Sequence, residues 1–70
     1  MKTEFLDRLA EQLRARRSPA CRRAIGRVLA AVKNRFEAGE YLNQPEAEWD
    51  FRTQVEAEPA CREEKPEKMN

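Results

Sequence analysis

The residue types that most often carry out chemistry are scarce in this chain. Its 70 residues include no histidine, which removes the commonest general base and the commonest metal ligand. The single serine, Ser18, is explained as a helix cap, and Gly26 and Gly39 stand too far apart for a phosphate-binding loop. Paired carboxylates such as Glu63 and Glu64 lie in a stretch with no apolar pattern to bury them. We therefore predict a protein that is not an enzyme and that binds no cofactor or metal.

The two cysteines, Cys21 and Cys61, stand 40 residues apart, without the close spacing of metal ligands. Cys21 falls on an apolar helical stripe, so we interpret it as a small core residue, with a disulfide across a two-fold axis as the alternative. Cys61 is expected to be exposed and incidental. Small secreted scaffolds usually carry more cysteines behind an apolar signal segment. Reduced thiols and a cytoplasmic location are therefore expected.

Arginine is the chemically active residue that the chain does concentrate. Residues 12–36 carry seven arginines and one lysine with no acid, whereas residues 37–70 carry ten acids and four bases. Such a stretch can contact phosphate or an acidic protein, or it can cover a core with its aliphatic stems. Arg22, Arg23 and Arg27 are the candidate contacts to DNA or RNA. Interleaved aromatic residues for base stacking are absent, which counts against RNA.

A second candidate surface is aromatic. Tyr41, Leu42, Trp49 and Phe51 lie close together in the sequence, and tryptophan is over-represented where proteins bind each other. On a helix, Trp49 points roughly 160° away from Phe51. We expect these four residues to form a patch that contacts a larger protein. The alternative is that Trp49 folds over the end of the helices beside Tyr41 and Leu42.

Three helices must position these side chains, because apolar residues recur at helical spacing over about 3–17, 19–38 and 45–58. The apolar stripe of the first points about 140–150° away from that of the second when both are drawn on one wheel. One unbroken helix would therefore present two opposite apolar faces. A break near Pro19 lets the stripes face each other, which predicts a helical hairpin. A kinked helix that meets two different subunits is the alternative.

The helix ends are signalled by single residues. Thr3 and Ser18 are suited to cap the first two helices. Gly39 is a natural stop for the second helix. Asn43 or Gln44 can cap the third helix, and Asn43 and Glu46 have the spacing of a capping box. Because these signals agree with the apolar periods, the predicted class is all-α, with no strand.

The chain divides into a helical domain, 1–58, and a flexible charged tail, 59–70, that starts at the helix-ending Pro59. The domain has few large apolar residues, and chains this small often need a partner subunit. The second helix also carries an apolar face wider than one short neighbour can cover. We therefore predict a homodimeric helical bundle, held by six apolar side chains: Leu9, Leu13, Ile25, Val28, Leu29 and Val32.

Three classes of function remain open. The first is a protein-binding regulator or inhibitor of a larger partner, acting as a homodimer. Phages and mobile elements encode many chains of this size and composition that disable host proteins, which is an analogy of composition alone. The second is a helix-turn-helix-like DNA-binding regulator that reads DNA with the arginine-rich second helix. The third, an amphipathic protein on a membrane surface, is disfavoured because the acidic half opposes anionic lipid.

Overall fold

The structure is a computed structural model and describes residues 2–62. It contains four helices: α1 (Glu4–Arg14), α2 (Pro19–Glu37), α3 (Gln44–Ala57) and α4 (Pro59–Arg62). No strand occurs in the described part of the chain, so the all-α class is confirmed there. The first three helices lie within three residues of their predicted bounds. None of the helices in residues 2–62 has the length and apolar character needed to cross a membrane.

The starts of α2 and α3 are capped as the sequence predicts. Ser18 Oγ accepts a hydrogen bond from the Cys21 backbone N–H at 3.1 Å. Asn43 Oδ1 accepts one from the Glu46 N–H at 2.9 Å, and the Glu46 carboxylate accepts in return from the Leu42 N–H. The predicted capping box is therefore present with one difference: Glu46 accepts from the N–H of Leu42 rather than from that of the N-cap residue Asn43. These contacts satisfy N–H groups that a helix start leaves without intrahelical partners.

Gly39 ends α2 in the left-handed region, with a φ of 79°. Its N–H donates to the Phe36 carbonyl, and the Glu40 N–H donates to the Arg35 carbonyl, both at 3.0 Å. This pair of bonds is the Schellman motif, which glycine favours because it has no Cβ. The predicted stop at Gly39 therefore has a definite hydrogen-bonding basis.

The start and end of α1 differ from expectation. Thr3 occupies the cap position, but its side chain accepts no capping bond; its backbone carbonyl accepts instead from the Leu6 N–H at 3.0 Å. At the other end, Arg16 has a φ of 61°, and the Arg17 N–H donates to the Arg14 carbonyl at 3.2 Å. A type II turn puts its third residue in this conformation, which suits glycine better than arginine. The tight turn ends α1 three residues early.

Helix α2 is the centre of the molecule, because α1, α3 and α4 all pack against it. Contact of α1 with α2 agrees with the predicted hairpin, and α3 also touches α1 and α4. The core consists of twelve buried apolar side chains drawn from all four helices: Leu6, Leu9, Ala10, Cys21, Ala24, Ile25, Val28, Val32, Ala47, Phe51, Val55 and Cys61. Phe5 and Phe36 close one end of the α1–α2 contact, with ring centroids 5.1 Å apart.

The side chains assigned to a dimer interface lie mostly inside this single-chain core. Ile25 and Val32 have no exposed surface, Leu9 and Val28 have almost none, and only Leu13 and Leu29 are half-buried. The wide apolar face of α2 that we had assigned to a second copy is covered instead by α3 and α4. The second copy is therefore not needed to bury that face, and the homodimer stays a prediction.

The expectation of a flexible tail from Pro59 onwards is wrong for residues 59–62, which form α4 and pack on α2 and α3. Cys61 is only 7% exposed and forms a disulfide with Cys21, their Cα atoms 4.7 Å apart. The expectations of two reduced thiols and of an exposed, incidental Cys61 are therefore wrong. Four residues are too few to show an apolar period, which is why the pattern missed α4. Residues 63–70 of the predicted tail lie outside the described residues.

Candidate protein-binding surface

The structure divides the predicted aromatic patch into exposed and buried members. Leu42 is 88% exposed and Trp49 is 67% exposed, whereas Tyr41 is half-buried and Phe51 has no exposed surface. Phe51 therefore cannot contact a partner and is a core residue, because the apolar face of α3 on which it lies turns toward α2. The exposed pair, Leu42 and Trp49, is what remains of the predicted patch.

Trp49 lies on the face of α3 that points away from the core. Ala47, Phe51 and Val55 form the buried face of this helix, and at about 100° per residue Trp49 falls nearly opposite them. The alternative interpretation, in which Trp49 folds over the end of the hairpin, does not fit a side chain with two thirds of its surface in solvent. Its indole is therefore available to another molecule.

A hydrogen-bonded cluster on Asp50 holds the α2–α3 connection that carries Leu42. Asp50 Oδ2 accepts from the Tyr41 hydroxyl at 2.6 Å, from Gln54 Nε2 at 2.9 Å and from Arg35 Nη1 at 3.5 Å. Burial, and then the hydrogen bond with Asp50, raise the pKa of Tyr41 above its usual 10.0, while Arg35 acts in the opposite direction. The cluster links α2, the connection and α3, so Leu42 and Trp49 are carried on a braced segment.

An open groove between α1 and α3 borders Trp49. Its walls combine apolar and charged side chains of both helices: Phe5, Arg8, Leu9, Gln12, Glu48 and Arg52. Arg52 lies three residues after Trp49 and is therefore its neighbour on the helix surface. We name Leu42, Trp49 and this groove the tryptophan surface. It combines an exposed apolar side chain with polar and charged groups around it.

The three arginines proposed to contact nucleic acid do not share one role. Arg22 Nε donates to the Arg14 carbonyl at 3.3 Å and so caps the end of α1. Arg27 Nη2 lies 3.9 Å from Glu58 Oε1, with 68% of the arginine side chain exposed. Arg23 is exposed and makes no ion pair within residues 2–62. Only Arg23 and Arg27, one turn apart, point outward together.

The outward face of α2 continues beyond these arginines. Ala30 and Asn34 follow at helical spacing, and both are exposed. We name Arg23, Arg27, Ala30 and Asn34 the outer face of α2. Lys33 and Arg35, which flank it, are paired with Asp7 at 2.9 Å and with Asp50 at 3.5 Å. The basic character of the molecule is therefore concentrated on this face and at the α1–α2 turn.

Within the described part of the chain, no three cysteine or carboxylate side chains gather as metal ligands. The Cys21–Cys61 disulfide was not predicted, and its one signal in the sequence is a cysteine at a core position of α2. No family model, curated protein or solved structure matches this chain. The candidate binding sites are therefore the tryptophan surface and the outer face of α2.

Proposed function

We propose that this protein is a non-enzymatic regulator or inhibitor that binds a larger protein through the tryptophan surface. The observation that supports this is the exposure of Trp49 on a packed helix. The other aromatic side chains, Phe5, Phe36, Tyr41 and Phe51, are at least half-buried. An indole left in water loses the favourable free energy of burying its large apolar surface. A tryptophan that enters a partner's pocket gains that free energy on binding.

The surroundings of Trp49 indicate what the partner offers. The groove beside it carries Arg8 and Arg52 against a single acid, Glu48, above the half-buried Phe5. A suitable partner therefore presents an apolar pocket for the indole, with acidic or polar groups at its rim. Charges at such a rim influence association rate and specificity more than affinity.

The test is affinity capture from native lysate with nuclease treatment, comparing the unchanged chain, Trp49→Ala and Arg23→Ala. We expect Trp49→Ala to lose the captured protein and Arg23→Ala to retain it, with both variants keeping the circular dichroism and melting temperature of the parent. Arg23 serves as the matched control because it is exposed on a different helix. Unfolding of Trp49→Ala, or undiminished capture by it, would contradict the proposal.

A second candidate is a DNA-binding regulator, which the outer face of α2 favours. Arg23 and Arg27 are exposed, and the small Ala30 and polar Asn34 continue the face toward the exposed Glu37 at the end of α2. Arginine and asparagine are the side chains that read guanine and adenine edges in the major groove. Against it, Arg22 is occupied at the end of α1 and Arg27 lies near Glu58.

Gel shifts with genomic fragments at low and moderate salt test this second candidate. If the protein contacts phosphate, binding to DNA should weaken steeply as salt rises. Arg23→Ala and Arg27→Ala should each weaken DNA binding, whereas Trp49→Ala should leave it unchanged. An absence of any shift at low salt would end this hypothesis.

The cysteine pair bears on where the protein acts. A cytoplasmic location, which the low cysteine count predicted, stays a prediction. The Cys21–Cys61 disulfide argues against that location. Cytosolic glutathione and thioredoxin keep most thiols reduced, whereas disulfides persist in oxidising compartments. To distinguish a reducing from an oxidising compartment, thiols can be trapped by acid quench in the cells that express the protein. Mass measurement then shows whether the two cysteines are reduced or joined.

A further inference from the structure

The two sulfurs of the disulfide lie in different surroundings. Cys21 is the third residue of α2, three positions after the Ser18 cap, and its sulfur lies 3.9 Å from Arg17 Nη1. The start of a helix carries partial positive charge. A helix N-terminus and a neighbouring arginine are two of the features that stabilise a cysteine thiolate. Both are present at the Cys21 sulfur.

Cys61 Sγ lies 3.7 Å from the Cys21 carbonyl oxygen rather than beside a cation, and Cys61 is the less deeply buried of the two residues. It retains 7% exposure, whereas Cys21 has none. It also lies in α4, of which the structure describes four residues, and the N–H groups of Cys61 and Arg62 both donate to the nearby Glu58 carbonyl. A single turn is unstable alone because helix nucleation is unfavourable. Local opening of α4 would therefore present the Cys61 sulfur to solvent while Cys21 stays enclosed.

We propose that Cys21–Cys61 is an exchangeable disulfide, opened by attack of an external thiolate on Cys61 Sγ. In this step a bond forms between the attacking sulfur and Cys61 Sγ. The Cys21–Cys61 bond breaks, and its electron pair leaves on Cys21 as a thiolate beside Arg17. A leaving thiol that readily carries charge departs faster.

A dithiol reductant completes the reaction. Its second thiolate attacks the sulfur that is joined to Cys61, forms a disulfide within the reductant and releases Cys61, which takes up a proton. The protein is thereby reduced by two electrons and the dithiol is oxidised by two. The substrate class is a small thiol or a dithiol, and the product is a chain whose α4 is no longer tied to α2.

Glutathione provides the first test, because a second monothiol must attack before the mixed disulfide is lost, so an acid quench at short reaction times traps it. The folded protein is treated without denaturant, quenched with acid and alkylated, and the two cysteines are located by tandem mass spectrometry. We expect glutathione on Cys61 and the alkyl group on Cys21. Glutathione mainly on Cys21, or shared equally between the two, would overturn the proposal.

The dependence of the rate on denaturant separates local opening from global unfolding. We expect the rate of exchange to be almost unchanged by urea well below the unfolding transition. A rate that rises in parallel with the unfolded fraction would show that the bond opens only in the unfolded chain, and would also overturn the proposal.

A pair of variants tests the role of Arg17. Arg17→Gln removes the charge beside Cys21 and should slow reduction by a small dithiol by roughly threefold or more, while Arg17→Lys should restore most of the rate. Arg16→Gln is the matched control, because Arg16 lies in the same turn without contacting the sulfur, and should leave the rate nearly unchanged. Equal rates for Arg17→Gln and Arg16→Gln, at unchanged circular dichroism, would refute this assignment.

Discussion

At the scale of single residues, the two glycines show how the same residue type can be a weakness or a requirement. Gly26 lies in the middle of α2, where glycine is about 1 kcal/mol less favourable than alanine. A Cβ placed there would lie 3.4 Å from Arg14 Nη2, the far end of a flexible side chain. Gly39, in contrast, has a positive φ that a Cβ would strain.

We therefore expect Gly26→Ala to raise the free energy of unfolding by about 0.5–1 kcal/mol, because helix propensity improves and Arg14 can move aside. Gly39→Ala should lower the free energy of unfolding by about 1 kcal/mol or more, since alanine resists a positive φ. Urea denaturation followed by circular dichroism measures both. Destabilisation by Gly26→Ala would mean that Arg14 is held rigidly over α2.

Tyr41 is the only tyrosine in the chain, so ultraviolet absorbance reports its ionisation directly. Burial and the Asp50 carboxylate raise its pKa in the folded state above the 10.0 of an exposed tyrosine. The neutral phenol therefore contributes stability that is fully present below pH 10.0 and is lost as pH rises through the folded-state pKa. We expect Asp50→Asn to lower the pKa of Tyr41, and an unchanged titration would contradict the role of Asp50.

At the scale of elements, α4 and its disulfide tie the described chain together within one copy. Chains of this size rarely bury enough apolar surface for a large margin of stability. The disulfide closes a loop of 40 residues and ties the end of the described chain to the first turn of α2. Its main effect is to restrict the unfolded state.

Reduction of the disulfide should lower the free energy of unfolding by about 2–4 kcal/mol, which is most of what a domain this small possesses. Urea denaturation with and without a phosphine reductant measures the change. The double variant Cys21→Ser, Cys61→Ser is the control and should match the reduced protein in either condition. A midpoint that does not move on reduction would show that the bond contributes nothing to stability.

At the scale of the whole molecule, the helices of residues 2–62 bury one core around α2, and the tryptophan surface and the outer face of α2 differ in character. The tryptophan surface lies on α3 and its groove with α1, and the outer face of α2 carries exposed arginine. Because α3 and α4 already cover α2, a homodimer would have to use what remains apolar at the surface. Leu13 and Leu29 are the half-buried members of the predicted interface.

We keep the homodimer as a prediction: light scattering after size exclusion should give about twice the 8.2 kDa chain mass at micromolar concentration. Leu29→Asp should yield a folded monomer, because Leu29 is half-buried and a charge there is tolerated within one chain. Val28→Asp is a poor probe, since Val28 is buried and the substitution would unfold the chain itself. A folded monomer from the unchanged protein would exclude the dimer.

The sequence by itself determined α1, α2 and α3 and most of their ends, but not α4. The caps at Ser18, Gly39 and Asn43 join residues at most five apart, so a short window of sequence contains both partners of each bond. The phase difference between the stripes of α1 and α2 likewise indicated a hairpin. The placement of Trp49 opposite the core face of α3 followed from helical periodicity alone.

Only the tertiary structure decided which elements cover the apolar face of α2, and with it the roles of Phe51, Ile25 and Val32. Periodicity shows that a face is buried, but it does not show whether the helix that covers this face belongs to the same chain. The pairing of Cys21 with Cys61 was hidden for the same reason: contact between residues 40 apart depends on how all the intervening helices pack. Local hydrogen bonds are encoded in neighbouring residues, whereas burial and cross-linking are properties of the assembled core.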